Sequence, residues 1–368
     1  MLRGEAIAQL RLIRTPRIGP VAWHQLMRRF GSAEKAVQAL PELARRGGGR
    51  GPDLASISYA ENEIRRVAQL GARHVFWDDE DYPLYLKEID SPPPVLMVQG
   101  DASIVQCPTV AIVGARNASA AACRLARQIA MDLADAGVSI ISGLARGVDT
   151  AAHIGALNGR TAAVIASGHD IAFPHENAAL QSKIGQDHLL ISEYPPGTEP
   201  IARQFPARNR IIAGCATATL VVEAAPKSGS LITARQAAEF GRDVLAVPGS
   251  PLDPRAQGCN RLIQDGALLI QSADDVLNII RPIDTRMQKT MPPRVDRAER
   301  PQQTQLPLGE GAKQQPCISD LLGSTPVTVD ELVRQSGRDM ASVQMALLDL
   351  EMAGRLERHA GSRISLIL

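Results

Sequence analysis

Apolar and polar positions change their spacing several times along the chain, and each change marks a boundary. Over residues 1–60 the apolar positions recur at helical spacing, in Ala6–Ile13, in Val21–Phe30 and in a third helix beginning with Ala33–Leu40. Thr15-Pro16-Arg17-Ile18-Gly19-Pro20 turns between the first two, and Gly31-Ser32 separates the second from the third. Helices joined through Ile18-Gly19 predict a helix-hairpin-helix, whose backbone N–H groups can hold a phosphate. Only one of the two usual glycines is present, so a packing domain of the sterile-alpha-motif (SAM) kind is the equal alternative. Arg45–Gly51 (RRGGGRG) breaks the pattern.

Residues 61–280 read as a second domain. Glu61–Leu70 is a helix, and His74–Trp77 and Val95–Val98 are strands. From Thr109 short apolar runs alternate with amphipathic stretches: Val110–Val113, Val138–Ile141, Thr161–Ala166, Leu189–Ser192, Val221–Val222 and Val244–Val247 are strands. Strands alternating with helices predict an α/β fold with a doubly wound parallel sheet. Ligands of such sheets bind beyond the carboxyl ends of the strands. Those ends carry Gly114, Ser142-Gly143, Ser167-Gly168, Lys227–Ser230 and Pro248-Gly249, which are expected to converge on one crevice. Residues 281–317, with six prolines and little apolar periodicity, predict a flexible linker. Residues 318–368 recover order. Ile318–Leu322 is a helix, and Thr328–Ser336 is a helix with Thr328 and Glu331 as a capping box. A third helix capped by Asp339 buries Val343, Leu347 and Leu350, and Gly354 ends it. A hairpin over Arg355–Leu368, turning at Ala360-Gly361, completes a winged helix.

One stretch concentrates the candidate chemistry. In VVEAAPKSGSLITAR (Val221–Arg235) a buried strand ends at Glu223, a Pro226–Ser230 turn follows, and a helix runs from Leu231 to Phe240. Strand, glycine-serine turn and helix present free backbone N–H groups to an anion. Lys227 adds a charge, and Ser228, Ser230 and Thr233 add hydroxyls. From Arg203 to Arg235 there are five basic residues and one acid, a local net charge of +4.

Composition narrows the partner. The whole chain of 368 residues carries only +1, so a polyanion would be held by this local patch rather than by a global field. Aromatic residues are 3% of the chain, which argues for phosphate contacts and against a stacking platform. The five cysteines include no CxxC, and MLRGEAIAQLRLIR has charges throughout and no apolar core. Reduced thiols, no signal peptide, no membrane span and a cytoplasmic location are expected. GxGxxG is absent after the first sheet strand, and Lys227-Ser228 lacks the leading glycine of a P-loop. Asp149 and His153 stand four apart, the spacing of a metal pair or of a cap with a packed histidine. His175-Glu176-Asn177 is isolated. No nucleophile, metal or cofactor constellation emerges, so binding is expected and catalysis is not.

Taken together, VAIVGAR, ISGLARGVDTAAH, FPARNRIIAG, VVEAAPKSGSLITA, VLAVPGS and GCNRLIQDGA resemble the DprA/Smf family of DNA-processing proteins. The resemblance implies an extended Rossmann-like fold that binds single-stranded DNA in a pocket, forms a homodimer, recruits the RecA recombinase and protects incoming DNA in natural transformation. Arg116 matches the arginine of a family GSR, with Ala115 in place of the serine and one phosphate hydroxyl lost. Arg208, Asn209 and Arg210 match the family RNR, and Lys227 the basic position before SGS. The implied phosphate pocket comprises Gly114, Arg116, Ser142, Gly143, Arg146, Arg208, Asn209, Arg210, Lys227, Ser228, Gly229 and Ser230. The enzymatic alternative is a nucleotide phosphoribohydrolase of the lysine-decarboxylase-like group. Its PGGxGTxxE loop has here only Pro226–Ser230, without the double glycine or the glutamate. A winged-helix transcription factor is a weaker reading, because Met340–Ala353 carries Asp349 and Glu351 and no Lys or Arg. Arg355, Arg358 and Arg363 leave the wing as a minor DNA contact.

Overall fold

The computed structural model describes residues 3–49, 51–290, 317–323, 325–359 and 363–367. The chain divides into two compact units, residues 61–291 and residues 1–60 together with 292–368. The first three helices are α1 (Arg3–Arg14), α2 (Pro20–Phe30) and α3 (Ala33–Arg46). Pro20 opens α2 where a missing N–H costs nothing, Gly31 closes it at φ 74°, and Ser32 caps α3 by accepting from the Lys35 N–H. Trp23, Leu26, Leu40 and Leu43 are buried among them.

After α4 (Ile57–Gln69), the second unit is built on a sheet. In chain order its elements are β1 (Ala72–Phe76), α5 (Leu84–Lys87), β2 (Val95–Gly100), β3 (Thr109–Val113), α6 (Ala120–Asp135), β4 (Ser139–Ser142), α7 (Val148–Gly155), β5 (Thr161–Ile165), α8 (Ala178–Asp187) and β6 (Leu189–Ser192). There follow α9 (Gln204–Cys215), β7 (Ala218–Val221), α10 (Ser230–Glu239), β8 (Asp243–Ala246), α11 (Gln257–Gln264), β9 (Leu268–Leu269) and α12 (Ala273–Thr290). Nine strands run in the order β1-β2-β6-β5-β4-β3-β7-β8-β9, parallel from β6 to β9, with β1 and β2 antiparallel at one edge. The central strands are buried along their whole length and mostly apolar because both faces are covered; their serines and threonines, such as Ser142 and Thr161, donate to neighbouring strand carbonyls. Ala111 and Val113 of β3 face the side packed by Ile211 and Ile212 of α9 and Ala234 of α10. Val110 and Ile112 face Ala126 and Ile129 of α6, Ala152 of α7 and Val276 of α12.

The strand order turns at one place. From β3 the chain winds outward through β4, β5 and β6, then returns to lay β7 on the other side of β3. The carboxyl ends of β3 and β7 therefore open a crevice between loops that leave in opposite directions. Glu223, just past β7, fixes its width: its carboxylate accepts from the Ser119 N–H at 2.9 Å and the Ser119 hydroxyl at 2.7 Å. The same hydroxyl accepts from the Ala122 N–H, so the cap of α6 is tied to the end of β7.

Helix α12 continues to Thr290, past 281 where the sequence places the start of the linker; residues 291–316 lie outside those described. Beyond them come a 3₁₀ turn over Ile318–Leu321, β10 (Val327–Thr328), α13 (Val329–Ser336), α14 (Met340–Met352), β11 (Leu356–His359) and β12 (Arg363–Leu366). The strands pair antiparallel in the order β10-β12-β11, the architecture of a winged helix. The hairpin turn expected at Ala360-Gly361 lies outside the described residues. The capping box is half-formed: Thr328 accepts from the Glu331 N–H, but the Glu331 carboxylate turns to Arg334 and Gln335. Helix α14 packs against α3 and α2 in the same unit. Asp349 pairs with Arg29 at 3.5 Å, and a Cβ on Gly47 would stand 2.1 Å from the Asp349 carbonyl oxygen.

The Glu223 tie generates a test. Glu223→Ala should lower the unfolding free energy by about 1–3 kcal/mol, the cost of leaving the Ser119 N–H and hydroxyl without their charged acceptor. Urea unfolding measures it, and an unchanged midpoint refutes the tie.

Candidate functional site

At the switch point a cleft of 660 Å³ is lined by Gly114–Arg116 after β3, by Lys227–Ser230 after β7, and by Phe205, Arg208 and Asn209 of α9. A second recess of 460 Å³ adjoins it, sharing Arg116, Ala145, Phe205 and Arg208 and adding Gly143, Arg146, Phe173 and Glu176. Helix α9 supplies the back wall. Pro206 falls in its first turn, where proline is tolerated. Its buried residues occupy more than one face, because it is covered by the sheet, α10 and α5.

Arg208 is the best-held side chain of the site. It is 4% exposed, and its Nη1 donates to the Gly143 carbonyl at 2.6 Å and to the Val164 carbonyl, joining the carboxyl ends of β4 and β5. A Cβ on Gly143 would stand 2.2 Å from Nη1, so glycine is required there for the guanidinium to enter. Its Nε has no partner among the described residues. Burial lowers its pKa to about 10 against the pull of Asp149, which leaves it charged at neutral pH.

Asp149, 6% exposed, occupies the anion nest of the following loop. Its Oδ2 accepts from the Gly143 N–H at 3.2 Å and the Ala145 N–H at 3.4 Å. Leu144 between them is left-handed, φ 54°. The amides that the sequence offers to an external anion at Ser142-Gly143 are thus filled from within. Burial raises the Asp149 carboxyl to about 6, opposed by Arg208, the two N–H groups and Arg116. His153 is buried against Thr161 at 2.8 Å, and desolvation lowers its pKa to about 3, so it is a neutral packed histidine. Among the described residues no group of three or more His, Cys, Asp or Glu is arranged to hold a metal ion.

The other predicted residues divide between the cleft and its surroundings. Lys227 is exposed and makes no hydrogen bond or ion pair among the described residues, and neither does the Gly229 N–H. Ser228 and Ser230 share a hydroxyl contact of 2.8 Å at the start of α10, and Asn209 Nδ2 reaches the Gly229 carbonyl at 3.4 Å. Arg116 is exposed, with its guanidinium 4.9 Å from the centre of the Phe205 ring. Arg146 pairs with Glu176. Two predicted residues do not reach the cleft. Ser142 is buried and donates to the Ile112 carbonyl at 2.6 Å. Arg210 points away along α9 and grips both Glu193 oxygens at 2.7 Å, with a third bond to the Ser91 carbonyl. Gly168 and Gly249, expected at the crevice, line neither recess; Gly249 is paired with Asn260.

Sequence reasoning missed the aromatic pair. Phe173 and Phe205 lie 5.6 Å apart with planes tilted at 53°, and Phe173 is 44% exposed at the second recess. The chain is poor in aromatics, but two of its five phenylalanines meet here, beside Arg116 and Arg208. Only the motif position of Phe205, inside QFPARNR, could have signalled it.

The sequence profile described as DNA recombination-mediator protein A matches residues 73–281. The chain belongs to the DprA/Smf family. A DprA-like N-terminal HHH domain matches residues 3–65, which decides the N-terminal helices in favour of the helix-hairpin-helix class, and a DprA winged helix domain matches residues 299–362. Protein Smf of Synechocystis is 35% identical over 377 residues, covering 94% of this chain and 95% of the relative. The DNA processing protein DprA of Streptococcus pneumoniae is 48% identical over 240 residues, 61% of this chain and 85% of the relative. Two solved structures of DNA processing protein A are similar. That from Streptococcus pneumoniae has 42% identity and a TM-score of 0.58, covering 62% of this chain and 79% of its own. That from Helicobacter pylori, which addresses that protein's single-stranded DNA binding mode, has 28% identity and a TM-score of 0.53, covering 58% and 96%.

Within this DprA/Smf fold, Asp149 titrates where most carboxylates have finished. Its folded pKa is raised from 3.8 to about 6, so the native state binds the proton more tightly than the unfolded chain. Stability from this group is present below pH 4 and is lost as pH rises through 6, an integrated change on the order of 3 kcal/mol. Asp149→Asn should remove that slope. Urea unfolding of both proteins at several pH values between 4 and 7 measures the difference, and parallel curves would refute the assignment.

Proposed function

We propose that this protein binds single-stranded DNA in the switch-point cleft, with little base preference, and hands it to the RecA recombinase, so protecting incoming DNA in natural transformation. The carrying observation is the pair of unneutralised cations, Arg116 and Lys227, on opposite lips of a cleft whose back wall holds the buried Arg208. Phosphate suits both: arginine grips it through two N–H groups, and lysine adds a point charge beside the open Gly229 N–H at the start of α10. Exposed rings such as Phe173 accept any base face, so stacking adds affinity without a code. Family membership supports the same reading, as does the single-stranded DNA binding mode reported for the Helicobacter pylori relative. No small cofactor enters this function, and Asp149, locked on two backbone amides, is a poor catalytic acid. The protein works as a homodimer in the cytoplasm. Among the described residues no helix is long and apolar enough to cross a membrane.

Lys227→Ala and Arg116→Ala should each weaken single-stranded DNA binding without lowering the melting temperature. Among the described residues neither is in an internal ion pair: Glu223 is committed to Ser119, and Asp149 to the 143–145 backbone. Each variant should reduce the slope of log affinity against log salt by about 0.7, the value for one phosphate contact on a single strand. Fluorescence anisotropy with melts on the same preparations decides; normal affinity and normal slope in a folded variant defeat the phosphate assignment.

Removing residues 318–368 should leave most single-strand affinity in place. Two charged side chains of the winged helix are already held, Arg358 by Glu351 at 2.9 Å and Asp349 by Arg29 of α2. A folded truncation that loses nearly all affinity would overturn this.

A further inference from the structure

The cleft does not end at Arg146. A third recess of 400 Å³ continues from it along the α6–α7 face, sharing Arg146 and Glu176 with the second and adding Arg124, Arg127, Thr150 and Asn177. Arg124 and Arg127 are exposed, stand three apart on one face of α6, and make no hydrogen bond or ion pair among the described residues. Like charges at neighbouring positions on a helix face repel by a few tenths of a kcal/mol, so the pair is not a local charge-stabilising device. The carboxylate that lines this recess, Glu176, is already bound by Arg146, and Asp132 of the same helix accepts from Gln128 instead. Three guanidiniums in a row with one carboxylate among them form an anion track with an excess of two charges. No aromatic residue lines it. The track is therefore suited to phosphates and not to bases.

We propose that a DNA strand leaving the cleft continues across the α6–α7 face, where Arg124 and Arg127 hold its flanking phosphates. Arg146 joins the two segments and exchanges Glu176 for a phosphate as the strand arrives. This rests on the DNA-binding reading above and extends it: the protein carries a base-tolerant cleft followed by a backbone-only extension, and the extension is used only by strands long enough to reach it.

Length dependence tests it. Affinity is measured by anisotropy for oligothymidylates of about 6 and about 20 nucleotides, one near the short end of common single-strand site sizes and one beyond their long end. The variants are Arg124→Gln/Arg127→Gln, which keeps helix propensity, and Lys227→Ala. The double variant should bind the short strand like the parent and the long strand at least about fivefold more weakly, with the salt slope lower by about 1.4, or 0.7 per phosphate lost from a single strand. Lys227→Ala should weaken both lengths. If the double variant binds the long strand normally, or weakens both lengths equally, the extension is wrong while the cleft stands. If Lys227→Ala binds both lengths normally, the cleft reading itself fails.

Discussion

A buried guanidinium holds this site together. Arg208 reaches between the carboxyl ends of β4 and β5 and donates to the carbonyls of Gly143 and Val164. A charge in that position is costly unless its surroundings answer it. Asp149 answers electrostatically from the first turn of α7, and the two carbonyls answer directly. The consequences spread outward. Position 143 must be glycine, Leu144 must turn left-handed so that the amides on either side meet Asp149, and α9 is anchored across the top of the sheet. Phe205, three residues before Arg208 on α9, then sits where Arg116 can stack on it.

This anchoring separates cations that build the cleft from cations that are open to a ligand. Arg208 and Arg210 are neighbours on one helix, yet both are held by protein partners, one by carbonyls and the other by Glu193. Arg116 and Lys227 have no such partner among the described residues and stand at the two strand ends where the sheet changes direction. The Glu223–Ser119 tie keeps those two ends at a set separation, and it removes the one acid that could have neutralised Lys227 from its own loop.

The winged helix follows a different logic. Its third helix, which in a DNA reader would enter a groove, packs here against the N-terminal helices within one unit. Asp349 meets Arg29, and on the wing Arg358 turns back to Glu351 and Arg355 reaches the Gly47 carbonyl. An acidic helix suits that packing better than a phosphate backbone.

The sequence determined the element types and the site's address. Alternating apolar runs and amphipathic stretches specify a doubly wound sheet, because a strand covered on both faces has no polar face to alternate with. Glycines, serines and Lys227 after those runs mark the ends where ligands bind, and the motif set from VAIVGAR to GCNRLIQDGA identifies the family. Tertiary structure decided which of the marked residues are free. Arg208 and Arg210 look alike in RNR, and only the helical phase of α9 against the sheet sends one to the cleft wall and the other to Glu193. Asp149 and His153 look like a metal pair, and only burial turns one into a partner for loop amides and the other into a neutral packed ring. Phe173 and Phe205 are 32 positions apart in a chain with few aromatics, and their meeting depends on the loop after β5 folding over the first turn of α9. Local pattern is sufficient for elements because it reports periodicity. The partner of a charge or a ring is set by distances between segments remote in sequence, and periodicity carries no record of those.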